Sequence, residues 1–138
     1  MRTHIGAVKR LTRNDVSWIY PQSKSHQAGI NLPLGSFKAM FLHLIQDLEA
    51  NAPRHDFEVK WFTRSGEFLA DGTSQVVRYH SKNELRLVNI PKSRLAQYLE
   101  EGNYLFIRRD YNLLHITIFD MDPSHLILEV ERALAPEK

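Results

Sequence analysis

The chain passes from a strand into a polar tip and back again within one stretch, Gln75-Val76-Val77-Arg78-Tyr79-His80-Ser81-Lys82-Asn83-Glu84-Leu85-Arg86-Leu87. Its beginning is typical of a strand, because β-branched and aromatic residues such as Val76 and Tyr79 suit a pleated surface. Its middle is not, since a strand in a protein core would not carry the polar run from Lys82 to Glu84. The sequence therefore predicts two strands that are joined by a polar hairpin tip.

The polar side chains of this stretch are of the kinds that contact nucleic acids. An asparagine such as Asn83 can pair with adenine, and a glutamate such as Glu84 can accept a hydrogen bond from the amino group of cytosine. We call residues 75–87 the second arm. Its candidate DNA-binding residues are Arg78, Tyr79, Ser81, Lys82, Asn83, Glu84 and Arg86. The alternative interpretation is a solvated turn without a ligand.

A second polar stretch follows the first predicted strand, and we call residues 9–27 the first arm. Long loops in small domains are usually functional or disordered. Its candidate DNA-binding residues are Lys9, Arg10, Asn14, Asp15, Lys24, Ser25, His26 and Gln27. Lys9 and Lys24 are expected to contact phosphates, whereas Arg10 and Arg86 can each donate two hydrogen bonds to a guanine. Two such arms on one small domain suggest a clamp.

Length and composition indicate one globular domain over residues 1–138. Hydrophobic residues make up 43% of the chain and charged residues 25%, which is close to the average for globular domains. The absence of cysteine excludes disulfides, thiolate zinc sites and a cysteine nucleophile. The net charge is only +2, so a nucleic-acid partner requires the positive charge to be concentrated on one face.

Further patterns predict the cellular location of the protein and the role of its last four residues. No apolar run approaches the ~20 residues that span a bilayer, and the first residues lack the apolar core of a signal peptide. We therefore expect a cytoplasmic protein without membrane contact. Residues 135–138, Ala-Pro-Glu-Lys, are expected to begin a linker to a separate catalytic domain.

The remaining elements predict an α+β protein that is mainly β. Alternating or bulky residues favour strands, and turn formers separate them. The expected strands are 5–11, 28–32, 57–63, 76–79, 87–90, 104–109 and 114–119, with residues 12–27 irregular. Helices are expected over residues 37–50 after a Ser36 cap, from Pro91 to 101, and from Asp122 onward. Turns are expected at Ser65-Gly66 and Asp71-Gly72. About seven mostly antiparallel strands with two or three helices suggest an open barrel whose ends the helices fill.

With both arms in view, the chain resembles a known family. The pattern Lys9-Arg10-Leu11-Thr12-x-Asn14-Asp15, followed by His26-Gln27-x-Gly29-x-x-Leu32-Pro33, is similar to the N-terminal effector domain of EcoRII-type (type IIE) restriction endonucleases. The second arm agrees at Arg78, Tyr79, Asn83-Glu84 and Arg86. The resemblance implies a seven-stranded B3-like pseudobarrel that grips the major groove of double-stranded DNA with two arms.

The resemblance also implies a short duplex target similar to CCWGG, and an isolated domain that is monomeric and needs no cofactor. Magnesium is expected only for a covalently linked C-terminal nuclease domain. This chain departs from the family in its first arm, where Trp18-Ile19-Tyr20-Pro21 lengthens the segment between Asp15 and His26. The segment before Asn83 is shorter. Both differences affect the register of base contacts and the recognised sequence.

Two other functions stay open. Glu58-Val59-Lys60 matches the Glu-x-Lys half of a restriction-type metal site, which needs a further carboxylate on a neighbouring strand. The second possibility is a protein-interaction module without a role on DNA. The seven histidines show no paired metal-ligand spacing, and no Gly-x-Ser-x-Gly turn indicates a hydrolase.

Overall fold

The structure, a computed structural model, describes residues 5–19 and 29–126. Its strands are β1 Ile5–Arg10, β2 Gly29–Leu32, β3 Arg54–Thr63, β4 Phe68–Tyr79, β5 Glu84–Val88, β6 Tyr104–Asp110 and β7 Leu113–Phe119. Its helices are short: α1 Arg13–Val16, α2 Leu34–Phe37, α3 Leu42–Gln46 and α4 Lys92–Leu95, with single 3₁₀ turns at Ser17–Ile19 and His80–Lys82. No helix of the described ranges is long and apolar enough to cross a membrane.

The seven strands form one sheet in the order β1-β6-β7-β3-β4-β5-β2. All neighbours are antiparallel except β3 and β7. Consecutive strands therefore alternate in direction, so the connections alternate between two ends. We call the end at which β1, β3 and β5 finish the lower end, and the end at which β2, β4 and β6 finish the upper end. The first arm leaves β1 at the lower end, whereas the tip of the second arm lies at the upper end.

The core fills the inside of this sheet, and the helical connections lie at its ends. Trp61, Phe37, Phe41 and Phe57 are its largest fully buried side chains. Helices α2 and α3 lie in the β2–β3 connection at the upper end, and α4 lies in the β5–β6 connection at the lower end. Each large apolar side chain stabilises the fold by about 1.5–3 kcal/mol through its burial.

The predicted single helix over residues 37–50 is wrong. Helix α2 ends at Phe37 and α3 begins at Leu42, and Phe41 between them has a non-helical φ of −123° and ψ of 36°. This backbone lets the buried Phe41 ring meet the Phe57 ring edge-on, with centroids 5.6 Å apart. Tertiary packing at the upper end therefore overrides the helical periodicity. Ser36 lies inside α2 and does not cap it.

Two other boundaries also differ from the prediction. Asp71-Gly72 is not a turn, because both residues pair with β3 inside the long strand β4. The helix after Pro91 is one short segment, Lys92–Leu95, followed by turns. The final helix is present at residues 124–126, and its predicted continuation lies outside the described residues.

Candidate nucleic-acid interface

The side of the sheet that faces away from the core carries a band of polar residues across four strands. Residues that are directly opposite each other in neighbouring strands point to the same side. We call this band the outer face, and its residues are Asn31, Arg54, Asp56, Gln75, Val77, Tyr79, Glu84 and Arg86. It extends between the lower end, where the first arm begins, and the tip of the second arm at the upper end.

An aromatic ring with two cations forms the upper part of the outer face. The guanidinium carbon of Arg86 lies 5.4 Å from the centre of the Tyr79 ring, and the Lys82 ammonium lies 5.9 Å from it. Glu84 contacts Arg86 at 2.9 Å, and both side chains are partly exposed. Val77 is fully buried beneath them although it points away from the core. The cluster is held by β4 and β5, whose register places Tyr79 opposite Glu84.

Several buried polar atoms of the second arm have no hydrogen-bond partner among the described residues. They are Arg86 Nε, Glu84 Oε2 and Arg78 Nη1. The contact between Arg86 and Glu84 is short enough for an ion pair, but its angles do not make a hydrogen bond. A buried polar group without a hydrogen bond costs ~1–3 kcal/mol, so the described residues do not fully satisfy the polar atoms of this arm.

The tip of the second arm is fixed from inside by Arg78. This side chain is only 7% exposed, and it donates to Asn83 Oδ1 at 2.8 Å and to His80 Nδ1 at 3.3 Å. His80 Nε2 then donates to the carbonyl oxygen of Asp47 at the end of α3, at 2.7 Å. Asn83 adopts the left-handed conformation, with φ of 54°, that turns the chain into β5. Arg78 therefore orders the tip, while its predicted DNA contact stays a prediction.

At the root of the first arm, where it leaves β1, the carboxylate of Asp15 has protein partners for both of its oxygens. Asp15 Oδ2 contacts the Lys9 ammonium at 2.9 Å and accepts from the Thr12 backbone N–H and hydroxyl, each at 2.8 Å. Asp15 Oδ1 accepts from the backbone N–H of Asn31 at 3.0 Å. Lys9 belongs to β1 and Asn31 to β2, the two edge strands of the sheet. Asp15 thereby joins the two edges and nearly closes the barrel.

This arrangement corrects the predicted irregularity of residues 12–27 over residues 12–19, while residues 20–27 lie outside the described residues. Thr12 and Asp15 form a capping box that starts α1, a pattern that the sequence shows as a threonine followed three residues later by an acid. Lys9 and Asp15 are 4% and 1% exposed, so neither reaches a duplex unless the pair breaks. Their DNA contacts stay predictions.

Of the other predicted site residues, some are exposed in the structure and some lie outside the described residues. Arg10 and Asn14 are exposed beside the first arm's root, and Ser81, Lys82 and Asn83 are exposed at the second arm's tip. Lys24, Ser25, His26 and Gln27 lie outside the described residues. Sequence reasoning missed the outer-face residues Asn31, Arg54, Asp56 and Gln75. The predicted strand began only at Phe57, whereas β3 begins at Arg54. The signal for the earlier start was the alternation of charged and aromatic residues from Arg54 to Phe57.

The proposed metal site has an unexpected neighbour but no full ligand set. Glu58 and Lys60 point away from the core, and Asp71 of β4 stands opposite Lys60. A carboxylate partner on a neighbouring strand is thus present. Within residues 5–19 and 29–126, however, no group of three or more His, Cys, Asp or Glu residues is arranged to hold a metal ion.

A histidine–arginine cluster lies at the upper end, under α3. Arg109 Nη1 donates to the Met40 carbonyl at 2.6 Å and to His43 Nδ1 at 3.4 Å, and the His43 and His55 rings meet edge-on at 5.0 Å. Burial lowers the pKa of His43 below its ordinary value, and Arg109 and then His55 add to this effect. Arg109 also packs on the Phe57 ring at 4.9 Å. These contacts hold α3 on the sheet.

Comparison with known proteins gives a likeness of fold. No protein-family model matches the sequence, and none of the curated proteins compared with it matches. A crystal structure of the B3 domain of the UbaLAI restriction endonuclease, solved with cognate DNA, is similar with a TM-score of 0.54 and 12% sequence identity. The match covers 99% of this chain and 84% of that chain. At this identity the likeness shows the fold alone. The chain is mainly β and has the nearly closed seven-stranded sheet of a B3-like pseudobarrel.

Proposed function

We propose that this protein is a sequence-specific, double-stranded DNA-binding domain that places its outer face and both arms in the major groove. The observation that carries the proposal is the cluster of Tyr79, Lys82, Glu84 and Arg86, which places an aromatic ring, two cations and a carboxylate together at the tip of the second arm. The similar B3 domain was solved with cognate DNA, which supports the same class of partner for this fold.

The mixture of donors and acceptors favours reading of bases over binding of the phosphate backbone alone. A surface that binds only phosphates needs cations, whereas base edges present both donors and acceptors. The second arm offers cationic donors at Arg86 and Lys82 and a carboxylate acceptor at Glu84. In this proposal Glu84 orients Arg86 toward a guanine or accepts from a cytosine.

The finer proposal is a target-recognition domain of an EcoRII-type restriction endonuclease, with a duplex site similar to CCWGG. Its support is the pattern of the two arms in the sequence together with the B3-like fold. In this proposal a separate, covalently linked domain cuts the DNA, and this domain binds without a metal.

The proposal is tested by selecting bound duplexes from a random pool and then comparing Glu84→Ala with the wild type at one fixed salt concentration. Specific affinity should fall about 10- to 100-fold, because a well-placed polar contact contributes ~1–3 kcal/mol of discrimination. Affinity for scrambled DNA should stay level or rise, since a negative charge is removed. Glu67→Ala makes the same charge change at an exposed residue just before β4, far along the strand from the tip of the second arm. It should leave the ratio of the two affinities unchanged.

Two outcomes would contradict the proposal. A wild-type protein that selects no common sequence and binds duplexes without salt dependence would not be a DNA-recognition domain. Equal gains of Glu84→Ala on specific and scrambled duplexes would remove the second arm from recognition. Incubation of the same preparation with magnesium tests the nuclease alternative, since cutting that persists in pure protein and disappears in Glu58→Ala would favour it.

A further inference from the structure

One row of residues crosses the outer face from β3 to β2 at a single level of the sheet. The register places Arg54 opposite Val77, Val77 opposite Arg86, and Arg86 opposite Asn31. Neighbouring strands lie about 4.8 Å apart, so four strands span roughly 14 Å. The major groove of B-DNA is about 12 Å wide. The row is therefore about as wide as the groove that the outer face is proposed to meet.

Arg54 stands at the border of this row. Strand β7 pairs with β3 only from Glu58 onward, so no strand among the described residues lies beside Arg54 on the side away from β4. The Arg54 side chain is exposed, and it makes no ion pair or side-chain hydrogen bond within the described residues. Arg86, in contrast, lies in the middle of the row and is held by Glu84 and Tyr79. The two arginines thus differ in position and in freedom.

We propose that Arg54 is a phosphate-binding residue that positions the domain on one wall of the major groove, while Arg86 reads a base at its centre. This inference rests on the proposed function. When Arg86 faces the floor of the groove, a side chain at the border of the row faces the phosphates that line the groove. A free guanidinium at that place binds a phosphate oxygen with a charge-assisted hydrogen bond. Arg54 lies outside both arms, so it adds a contact that the arms do not supply.

Asp56 provides an internal check on the same placement. It lies two residues after Arg54 and points to the same side, opposite Gln75 and about 6.6 Å further along the strand. It makes no ion pair among the described residues. A carboxylate at the wall of the groove repels the phosphates that Arg54 attracts. Removing the charge at Asp56 should therefore act with the opposite sign to removing the charge at Arg54.

The test measures affinity for the selected duplex and for a scrambled duplex over a series of salt concentrations. Arg54→Ala should weaken both affinities by the same factor and reduce the slope of log affinity against log salt by about one, as for one lost phosphate contact. Arg54→Lys keeps the charge and should keep the slope. Asp56→Asn should strengthen both affinities equally. Arg94→Ala removes an exposed arginine from α4, outside the outer face, and should leave the slope unchanged.

The outcomes separate this inference from the proposed function. The inference is overturned if Arg54→Ala behaves like Arg94→Ala while Arg86→Ala still lowers specific affinity, because the domain then binds without the border contact. It is also overturned if Arg54→Ala changes the ratio of specific to scrambled affinity, because Arg54 would then read a base. A wild-type protein without salt-dependent duplex binding would instead remove the proposed function. Thermal unfolding of each variant confirms that the exposed substitutions leave the fold intact.

Discussion

The roots of the two arms contain similar polar residues and use them in opposite ways. At the first arm, Lys9 and Asp15 are buried, and both carboxylate oxygens are occupied by protein donors. At the second arm, Arg86 and Glu84 contact each other but stay partly exposed, and Arg86 Nε and Glu84 Oε2 have no hydrogen bond among the described residues. The difference follows from the sheet. Its edges β1 and β2 do not pair in the described residues, so a polar bridge must join them there, whereas β4 and β5 pair directly.

The largest expected effect comes from breaking the bridge at the first arm. Asp15→Ala removes the partner of a buried lysine, the acceptor of the Asn31 N–H and the capping box of α1. Loss of one partner from a buried ion pair costs ~3–5 kcal/mol, because the other charge stays buried and uncompensated. Urea unfolding should show a loss of stability of about this size.

A neighbouring substitution provides the control for this experiment. Asn14→Ala changes an exposed residue of the same helix and should shift the free energy of unfolding by no more than about 0.5 kcal/mol. If Asp15→Ala proves as stable as Asn14→Ala, the connection between the edge strands β1 and β2 does not depend on Asp15. Its carboxylate would then be available for the DNA contact that the sequence predicts.

An intermediate effect is expected at Arg78, which anchors the second arm from below. Arg78→Ala removes a hydrogen bond of 2.8 Å to Asn83 and a longer one of 3.3 Å to His80. A hydrogen bond to a charged group contributes ~1.5–3 kcal/mol, and the bond to Asn83 is the stronger of the two. We expect the fold to lose about this much stability. Specific DNA affinity should fall because the tip loses its fixed conformation, while the salt dependence of binding to scrambled DNA should stay the same. Both quantities are measured on the same preparation.

The direct-contact interpretation of Arg78 makes a different prediction. If this arginine binds a phosphate, its loss reduces the salt slope for every duplex, as the loss of Lys82 should. A smaller slope in Arg78→Ala, equal to that in Lys82→Ala, would therefore show that the buried side chain rearranges to reach the DNA. The second arm would then contact DNA through a cation that is buried in the structure, and exposure alone would no longer distinguish the two arms.

Much of the sheet could be predicted from the sequence, because the residue alternation within a strand and the turn residues after it are local signals. The alternation in residues 104–109 and 114–119, with a tight turn between them, predicted the β6–β7 hairpin that the structure contains. The helix after Ser36 could not be placed, because its residues have helical periodicity while the position of the Phe57 ring decides the break at Phe41. That contact joins distant parts of the chain, and no local pattern encodes it.

The candidate site was only partly predictable for the same reason. Residue types alone identify the second arm, since Lys82, Asn83 and Glu84 follow one another in the chain. They do not show that Lys9 is buried against Asp15, because the need for a polar bridge arises only when two edge strands meet. Nor do they identify Arg54, whose place at the border of the outer face depends on where β7 begins to pair with β3.

The smallest expected effect concerns pH and lies outside both arms. Burial lowers the pKa of His43, and Arg109 and then His55 add to this effect. Burial also lowers the pKa of His115, with help from Arg108 and Lys60, although a backbone hydrogen bond acts in the opposite direction. Below an ordinary pKa of about 6.5, the unfolded chain takes up protons at these positions before the folded chain does. Stability from this source is therefore complete above about pH 6.5 and falls as the pH decreases toward the lowered pKa values.

Urea unfolding of the wild type between pH 7.5 and about pH 5 should show this decline, and the combined variant His43→Gln with His115→Gln should show a shallower one. Because both imidazoles are partly exposed, the decline should be much smaller than the loss in Asp15→Ala. An equally steep decline in the combined variant would place the acid-sensitive groups elsewhere, and the polar clusters of the two arms would be the next to examine by the same substitution series.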